Sequence, residues 1–188
     1  MKIILASQSL FRKRALEILG LEFKTVSSNF DEESIRDKNP EELAKKLSEA
    51  KAREIGKTEK EAIIVSGDLF VVFKGKMYEK PKSKEEAFEM LKSFSGNKLD
   101  IIGGVAVYNS MKNKMLSSAE KYSVKFRNLL DYEINDYISR YPVLKLSAAF
   151  EGDGLLRFSE SVNGKYPFLT GLPMGKLILF LRENGIKV

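Results

Sequence analysis

Residues 3 to 20, IILASQSLFRKRALEILG, restrict the fold more than any other stretch of this 188-residue chain. A short apolar run, Ile3-Ile4-Leu5, gives way to small polar residues and then to a basic amphipathic segment, which reads as strand, polar turn and helix. Ser9 is placed to cap the helix, Leu10, Ala15, Leu16 and Leu19 form its inner face, and Gly20 stops it. A helix that starts just after a buried strand presents free N–H groups and the positive end of its dipole. Arg12 and Arg14 add permanent charge within the first turn or so, and the turn with Ser7 and Ser9 then suits a phosphate chain. A capped surface helix with solvated arginines is the alternative.

The chain contains no histidine and no cysteine. That removes every catalytic triad built on imidazole, thiol nucleophiles, disulfides and any metal site made of His or Cys. An enzyme with this composition takes its base from a carboxylate or a lysine. Any metal it uses is a hard, oxygen-ligated cation such as Mg2+ or Mn2+. The formal charge of +6, from 32 Lys plus Arg against 26 Asp plus Glu, favours an anionic substrate or nucleic acid over a cationic partner. At 43% hydrophobic residues the chain can bury the core of one domain spanning 1–188, with two lobes. No run approaches the roughly 18 apolar residues of a membrane span, and the chain opens on a core strand rather than a targeting segment, so a cytoplasmic protein with no membrane partner is expected.

Along the chain, Glu22 to Ser27 alternates like a strand and leads into the acidic loop Asn29-Phe30-Asp31-Glu32-Glu33. Pro40 opens a helix over Glu41 to Ile55, with Lys51 near its end. Ala62 to Val65 is a continuous apolar run, the mark of a strand covered on both faces, expected to stop at Ser66-Gly67-Asp68. Phe70 to Tyr78 reads as a hairpin turning at Gly75-Lys76 and ending at Lys80-Pro81. A helix follows from Ser83 to Phe94, then long strands over Leu99 to Tyr108 and Lys121 to Phe126, and a helix over Leu130 to Tyr141. Short strands near Leu155 to Phe158 and Pro167 to Thr170 precede a last helix after Pro173. The alternation of helices and strands indicates an α/β domain.

Polar residues gather at the ends of these elements. Asp68, directly after a buried strand, could serve as general base or metal ligand, or only cap a turn. Lys51, Lys80 and Glu32 are each ordinary surface residues if taken alone. Three cations (Arg12, Lys51, Lys80) and two carboxylates (Glu32, Asp68) near element ends together suit phosphate binding with a divalent ion.

These residues carry a resemblance. The chain is similar to the Maf family of nucleoside triphosphate pyrophosphatases. Its opening LASxSPRRxxLLxxLG appears as LASQSLFRKRALEILG, and its DE, KA, GADT and KP motifs appear as Asp31-Glu32, Lys51-Ala52, Ser66-Gly67-Asp68-Leu69 and Lys80-Pro81. LSG and GLP appear as Phe94-Ser95-Gly96 and Gly171-Leu172-Pro173. The resemblance implies a Maf/ITPase-like α/β fold: a mixed sheet flanked by helices, with two lobes around a central cleft. It also implies hydrolysis of a nucleoside triphosphate to the monophosphate and pyrophosphate, with Mg2+ or Mn2+. It makes Asp68 the general base and a metal ligand, Glu32 a second metal-side carboxylate, Arg12, Lys51 and Lys80 the triphosphate-binding cations, and Ser7 and Ser9 the phosphate-loop hydroxyls. A role in restraining septum formation is attributed to the family, and no residue of this chain tests it.

The positions that read the base depart from the family. Members acting on dTTP and UTP carry arginine, threonine and glutamine where this chain has Phe11, Leu69 and the Phe150-Glu151-Gly152 region. A branch acting on 7-methyl-GTP carries tryptophan, glutamine and glutamate. Phe11 could stack on a purine and Glu151 could accept from guanine N–H groups, whereas Leu69 fits neither set. A purine-type triphosphate is therefore the expected substrate. The alternative is a nucleotide- or nucleic-acid-binding protein that keeps the fold without turnover. Nucleic acid is the less favoured partner, because no motif for it is present. The apolar hairpin residues Phe70, Val71, Val72 and Phe73 offer a contact for a homodimer.

Overall fold

The computed structural model describes residues 1–163 and 171–188; the strand expected over 167–170 lies outside them. Strands β1 (Lys2–Leu5), β2 (Lys24–Thr25), β3 (Ala62–Phe73), β4 (Lys76–Tyr78), β5 (Lys98–Asn109), β6 (Lys114–Phe126) and β7 (Ser159–Asn163) hydrogen-bond in the order β2-β1-β3-β5-β6-β7, with β4 also on β3. The sheet is mixed: β1 runs parallel to β2 and β3, while β4 is antiparallel to β3 and β7 to β6. Among the described residues six α-helices accompany it: α1 (Leu10–Ile18), α2 (Pro40–Gly56), α3 (Lys84–Phe94), α4 (Asp131–Arg140), α5 (Gly152–Phe158) and α6 (Met174–Glu183). Among the described residues no helix is long and apolar enough to cross a membrane.

The chain divides into two compact units. The first takes Met1–Leu69, Gly103–Glu120 and 171–188. Its parallel strands alternate between two apolar layers, which explains their unbroken hydrophobic sequence. Ile3, Leu5, Ile63 and Val65 pack with Ala15 and Leu16 of α1 and Leu177 and Leu181 of α6. Ile4, Ala6, Ala62 and Ile64 pack with Ala52 and Ile55 of α2. Thus α1 and α6 cover one face and α2 the other.

The second unit takes Phe70–Ile102 and 121–163. Its centre is aromatic: Phe94 meets Phe73 edge-on at 5.4 Å between ring centroids, Phe126 meets Phe150 at 5.3 Å, and Phe158 meets Tyr137 at 4.8 Å. Such contacts add to the burial of large rings. Val71 and Phe73 are buried in it, so of the four hairpin residues named for a dimer contact only Phe70 and Val72 retain partial exposure.

Four readings need correction. Leu10 does not face inward; it is 77% exposed in the first turn of α1, where a helix has not yet met the sheet. The strand at Ala62 does not stop at Ser66-Gly67-Asp68 but runs unbroken to Phe73, since a polar triplet can stay extended where a neighbouring strand, here β5, continues beside it after β1 has ended. Its hairpin turns at Lys74-Gly75, both with positive φ (51° and 75°), as a two-residue turn matched to strand twist requires. Leu155 to Phe158 is helical rather than extended: Gly152, Leu155 and Phe158 are buried while Leu156 points outward, a period near three that a four-residue stretch cannot reveal.

Candidate active site

Everything described of the candidate site's geometry belongs to the first unit and follows from how β1 and β3 differ in length. β1 pairs with β3 as far as Leu5 and Val65, and the Ala6 amide donates to the Val65 carbonyl at 2.8 Å. There β1 ends while β3 continues, so residues 66 to 69 lie beyond the end of β1, beside the turn that leads into α1. Ligands of parallel sheets collect at such carboxyl ends.

The turn is held by its own side chains. Ser7 Oγ accepts from the Ser9 amide at 3.1 Å and from Arg12 Nη1 at 3.3 Å. Ser9 caps α1, its Oγ accepting from the Arg12 amide at 3.5 Å. Arg12 Nε donates to the Gly171 carbonyl at 3.4 Å. Among the described residues Arg12 makes no ion pair, so its charge is aimed by neutral acceptors and stays available to an anion. The φ of Gly171 is +64°, a conformation that side chains resist, and this puts its carbonyl on Arg12. Arg14 is exposed on the helix surface.

Alternation along β3 then divides two consecutive residues between its faces. Gly67 turns toward the α1 side, where a Cβ on it would stand 2.3 Å from Leu172 Cδ2, 2.8 Å from the Gly104 carbonyl oxygen and 3.6 Å from Arg12 Nε. Asp68 turns toward α2. Lys51 Nζ of α2 lies 3.3 Å from Asp68 Oδ1 and 2.9 Å from Glu32 Oε1. Glu32 comes from a single 3-10 turn, Glu32–Ser34, capped by Asp31, whose carboxylate accepts from the Glu33 amide at 3.0 Å. The side chains of Lys51 and Asp68 are 9% and 11% exposed, that of Glu32 58%. A charged row therefore runs acid, base, acid, exposed at its Glu32 end and buried at Lys51 and Asp68.

Asp68 Oδ2 is buried and has no hydrogen-bond partner among the described residues. A carboxylate oxygen left so is costly unless something else fills its coordination. The donor set fits a hard divalent cation: one buried free oxygen on Asp68 and a second carboxylate, Glu32, joined to it through Lys51. No three acidic side chains gather among the described residues. One or two carboxylates completed by phosphate oxygens and water are the usual Mg2+ environment.

Of the residues named from sequence, Ser7, Ser9 and Arg12 come together, as do Glu32, Lys51 and Asp68. Phe11 is half-buried in the first turn of α1, and Leu69 is half-buried next to Asp68. Lys80 and Glu151 belong to the second unit, Lys80 exposed after β4 and Glu151 half-buried just before α5. Sequence reasoning did not find the Gly171 carbonyl as the acceptor that aims Arg12. The only signal was a Gly-Leu-Pro triplet that reads equally well as a helix start.

A family model described as Maf-like protein matches residues 2–184. A 7-methyl-GTP pyrophosphatase of Pseudoalteromonas translucida (strain TAC 125) is 34% identical over 188 residues, covering 99% of this chain and 93% of that protein. A dTTP/UTP pyrophosphatase of Clostridium perfringens (strain SM101 / Type A) is 37% identical over 191 residues and covers both chains entirely. The structure of the Staphylococcus aureus Ham1 protein aligns with TM-score 0.44 at 14% identity, over 68% of this chain and 73% of that one, too distant to bear on the site. With the family model spanning nearly its whole length, this chain belongs to the Maf-like protein family.

Proposed function

We propose that this protein is a nucleoside triphosphate pyrophosphatase, which uses water to cleave the bond between the α- and β-phosphoryl groups and releases a nucleoside monophosphate and pyrophosphate. The observation that carries this reading is the carboxylate of Asp68, anchored by Lys51 through one oxygen and left buried and unpaired at the other. Relatives named as pyrophosphatases, two of them cited above, support the reaction class.

In this mechanism Asp68 Oδ2 accepts a proton from the water that attacks the α-phosphorus. Lys51 holds Oδ1, which fixes the carboxylate plane. Arg12 and the amides at the start of α1 bind phosphate oxygens, and Ser7 and Ser9 keep that turn closed. A divalent ion bound by Asp68 and Glu32 would neutralise phosphate charge and polarise the α-phosphoryl group. Lys80 is assigned to the triphosphate by the family resemblance alone.

For the base we propose a purine-type triphosphate, 7-methyl-GTP-like rather than dTTP or UTP, with Phe11 stacking and Glu151 accepting from the base edge. The relatives include both kinds and do not decide. The test is pyrophosphate release from a panel of nucleoside triphosphates with Mg2+ or Mn2+, run beside Phe11→Ala and Glu151→Gln. The reading expects turnover, best on modified or methylated purines, and weakened by both substitutions. No release from any triphosphate would overturn the activity. Best turnover of dTTP and UTP with both variants silent would overturn the base assignment.

A further inference from the structure

Ser66 stands where the resembling family has the glycine of its GADT motif, and it is fully buried. Its hydroxyl donates to the backbone carbonyl of Ser48 in the middle of α2. Residues 66 and 68 are two apart on a strand and therefore share a face, and that face is covered by α2. Residues 48 and 51 are three apart on a helix and so share its inner stripe. Strand and helix are thereby joined at two successive rungs, Ser66 to Ser48 and Asp68 to Lys51. The lower rung is anchored in the backbone, which does not change rotamer. The upper rung depends on a flexible four-carbon side chain.

α2 is free to settle this closely because Gly104 leaves room for it. A Cβ there would stand 2.4 Å from the Ala44 carbonyl oxygen and 2.7 Å from Ser48 Oγ. Ser48 Oγ itself turns back to the Ala44 carbonyl at 2.7 Å and leaves its own carbonyl for Ser66. Nothing else polar between Ala62 and Asp68 reaches α2, since the residues facing it before Ser66 are Ala62 and Ile64.

We infer that Ser66 is a positioning residue for the reaction proposed above: it sets the height of α2 against β3 so that Lys51 meets Asp68 at one oxygen and leaves the other open. It touches neither substrate nor metal and acts through Lys51. This inference rests on the pyrophosphatase reading for its kinetic consequence but not for its geometric one.

The test has two arms. In a crystal structure of Ser66→Ala, the distance from Lys51 Nζ to Asp68 Oδ1 lengthens from 3.3 Å to beyond ion-pair range, whereas Ser48→Ala, which removes a hydrogen bond from the same interface but leaves the carbonyl in place, keeps it. An unchanged distance in Ser66→Ala, or an equal change in both variants, would overturn the inference whether or not the protein has activity. In the kinetic arm, Ser66→Ala lowers kcat by about tenfold with KM little changed, and by less than about twofold in a Lys51→Met background, because its effect passes through Lys51. An equal loss of kcat in both backgrounds would overturn it. A wild-type protein inactive on every triphosphate contradicts the proposed function and leaves the crystallographic arm to decide.

Discussion

Lys51 Nζ lies 3.3 Å from Asp68 Oδ1, and the two side chains are almost equally buried, yet they are not equivalent. Lys51 has a second carboxylate at 2.9 Å in Glu32, whereas the other oxygen of Asp68 has no partner among the described residues. Removing the lysine strands a buried charge; removing the charge of the aspartate leaves the lysine paired with Glu32. Lys51→Met is therefore expected to destabilise the protein by about 3 kcal/mol, and Asp68→Asn by less than about 1 kcal/mol. Urea unfolding of both variants checks this, and equal losses would contradict it.

Arg12 and Arg14 differ in sequence only by their place in the first turns of α1, but the structure separates them. Arg12 is aimed by Ser7 and the Gly171 carbonyl, and Arg14 is exposed. We expect Arg12→Ala to raise KM for a triphosphate by at least about tenfold and Arg14→Ala to change it by less than about twofold. Steady-state kinetics on the two variants read this directly.

Gly104 is needed for space rather than for backbone conformation. An alanine there would press a methyl carbon into the backbone of Ala44 at 2.4 Å, which rigid atoms cannot evade. Gly104→Ala is expected to cost about 2–3 kcal/mol and to lift α2, with Lys51, away from β3. Its unfolding midpoint should fall well below that of Gly175→Ala, whose Cβ would meet nothing within 4 Å.

The second unit carries its own acid-sensitive element. The Arg127 guanidinium grips both oxygens of Glu133, at 2.7 and 2.9 Å, and the Leu130 amide donates to the same carboxylate, together pulling Glu133 down to about 2. A carboxyl lowered in the folded state contributes stability that is complete above its unfolded value near 4.5 and is lost as pH falls through about 2. Stability of Glu133→Gln should show a shallower slope than the parent between those limits and an equal offset above them. Chemical unfolding at several pH values measures it.

Much of this was legible in the sequence, and the failures have physical causes. The strand-turn-helix opening, the N-cap Ser9, the glycine stop at Gly20, the helix opened by Pro40 and the helix that follows Ser83 depend on neighbours within a few residues, and all appear in the structure. In sequence Asp68 looks like the residue after a strand, because Ser66-Gly67-Asp68 resembles punctuation. Its place inside β3 depends on a neighbouring strand, β5, which begins only at Lys98. The pairing of Asp68 with Lys51 and Glu32 could be suspected from charge and motif, but its handedness could not. Only the face alternation set by Ile63 and Ile64 turns Gly67 toward Arg12 and Asp68 toward α2. The contacts of Arg12 with Gly171 and of Ser66 with Ser48 are not legible in sequence because both acceptors are backbone carbonyls, which carry no residue signature.

The central claim is that Asp68 activates water for attack on a nucleoside triphosphate, and pyrophosphate release by Asp68→Asn measures it most directly. With Mg2+ or Mn2+ present and folding confirmed by an unfolding midpoint near that of the parent, turnover should fall by about 10³-fold while the triphosphate still binds. Turnover within about threefold of the parent would contradict it.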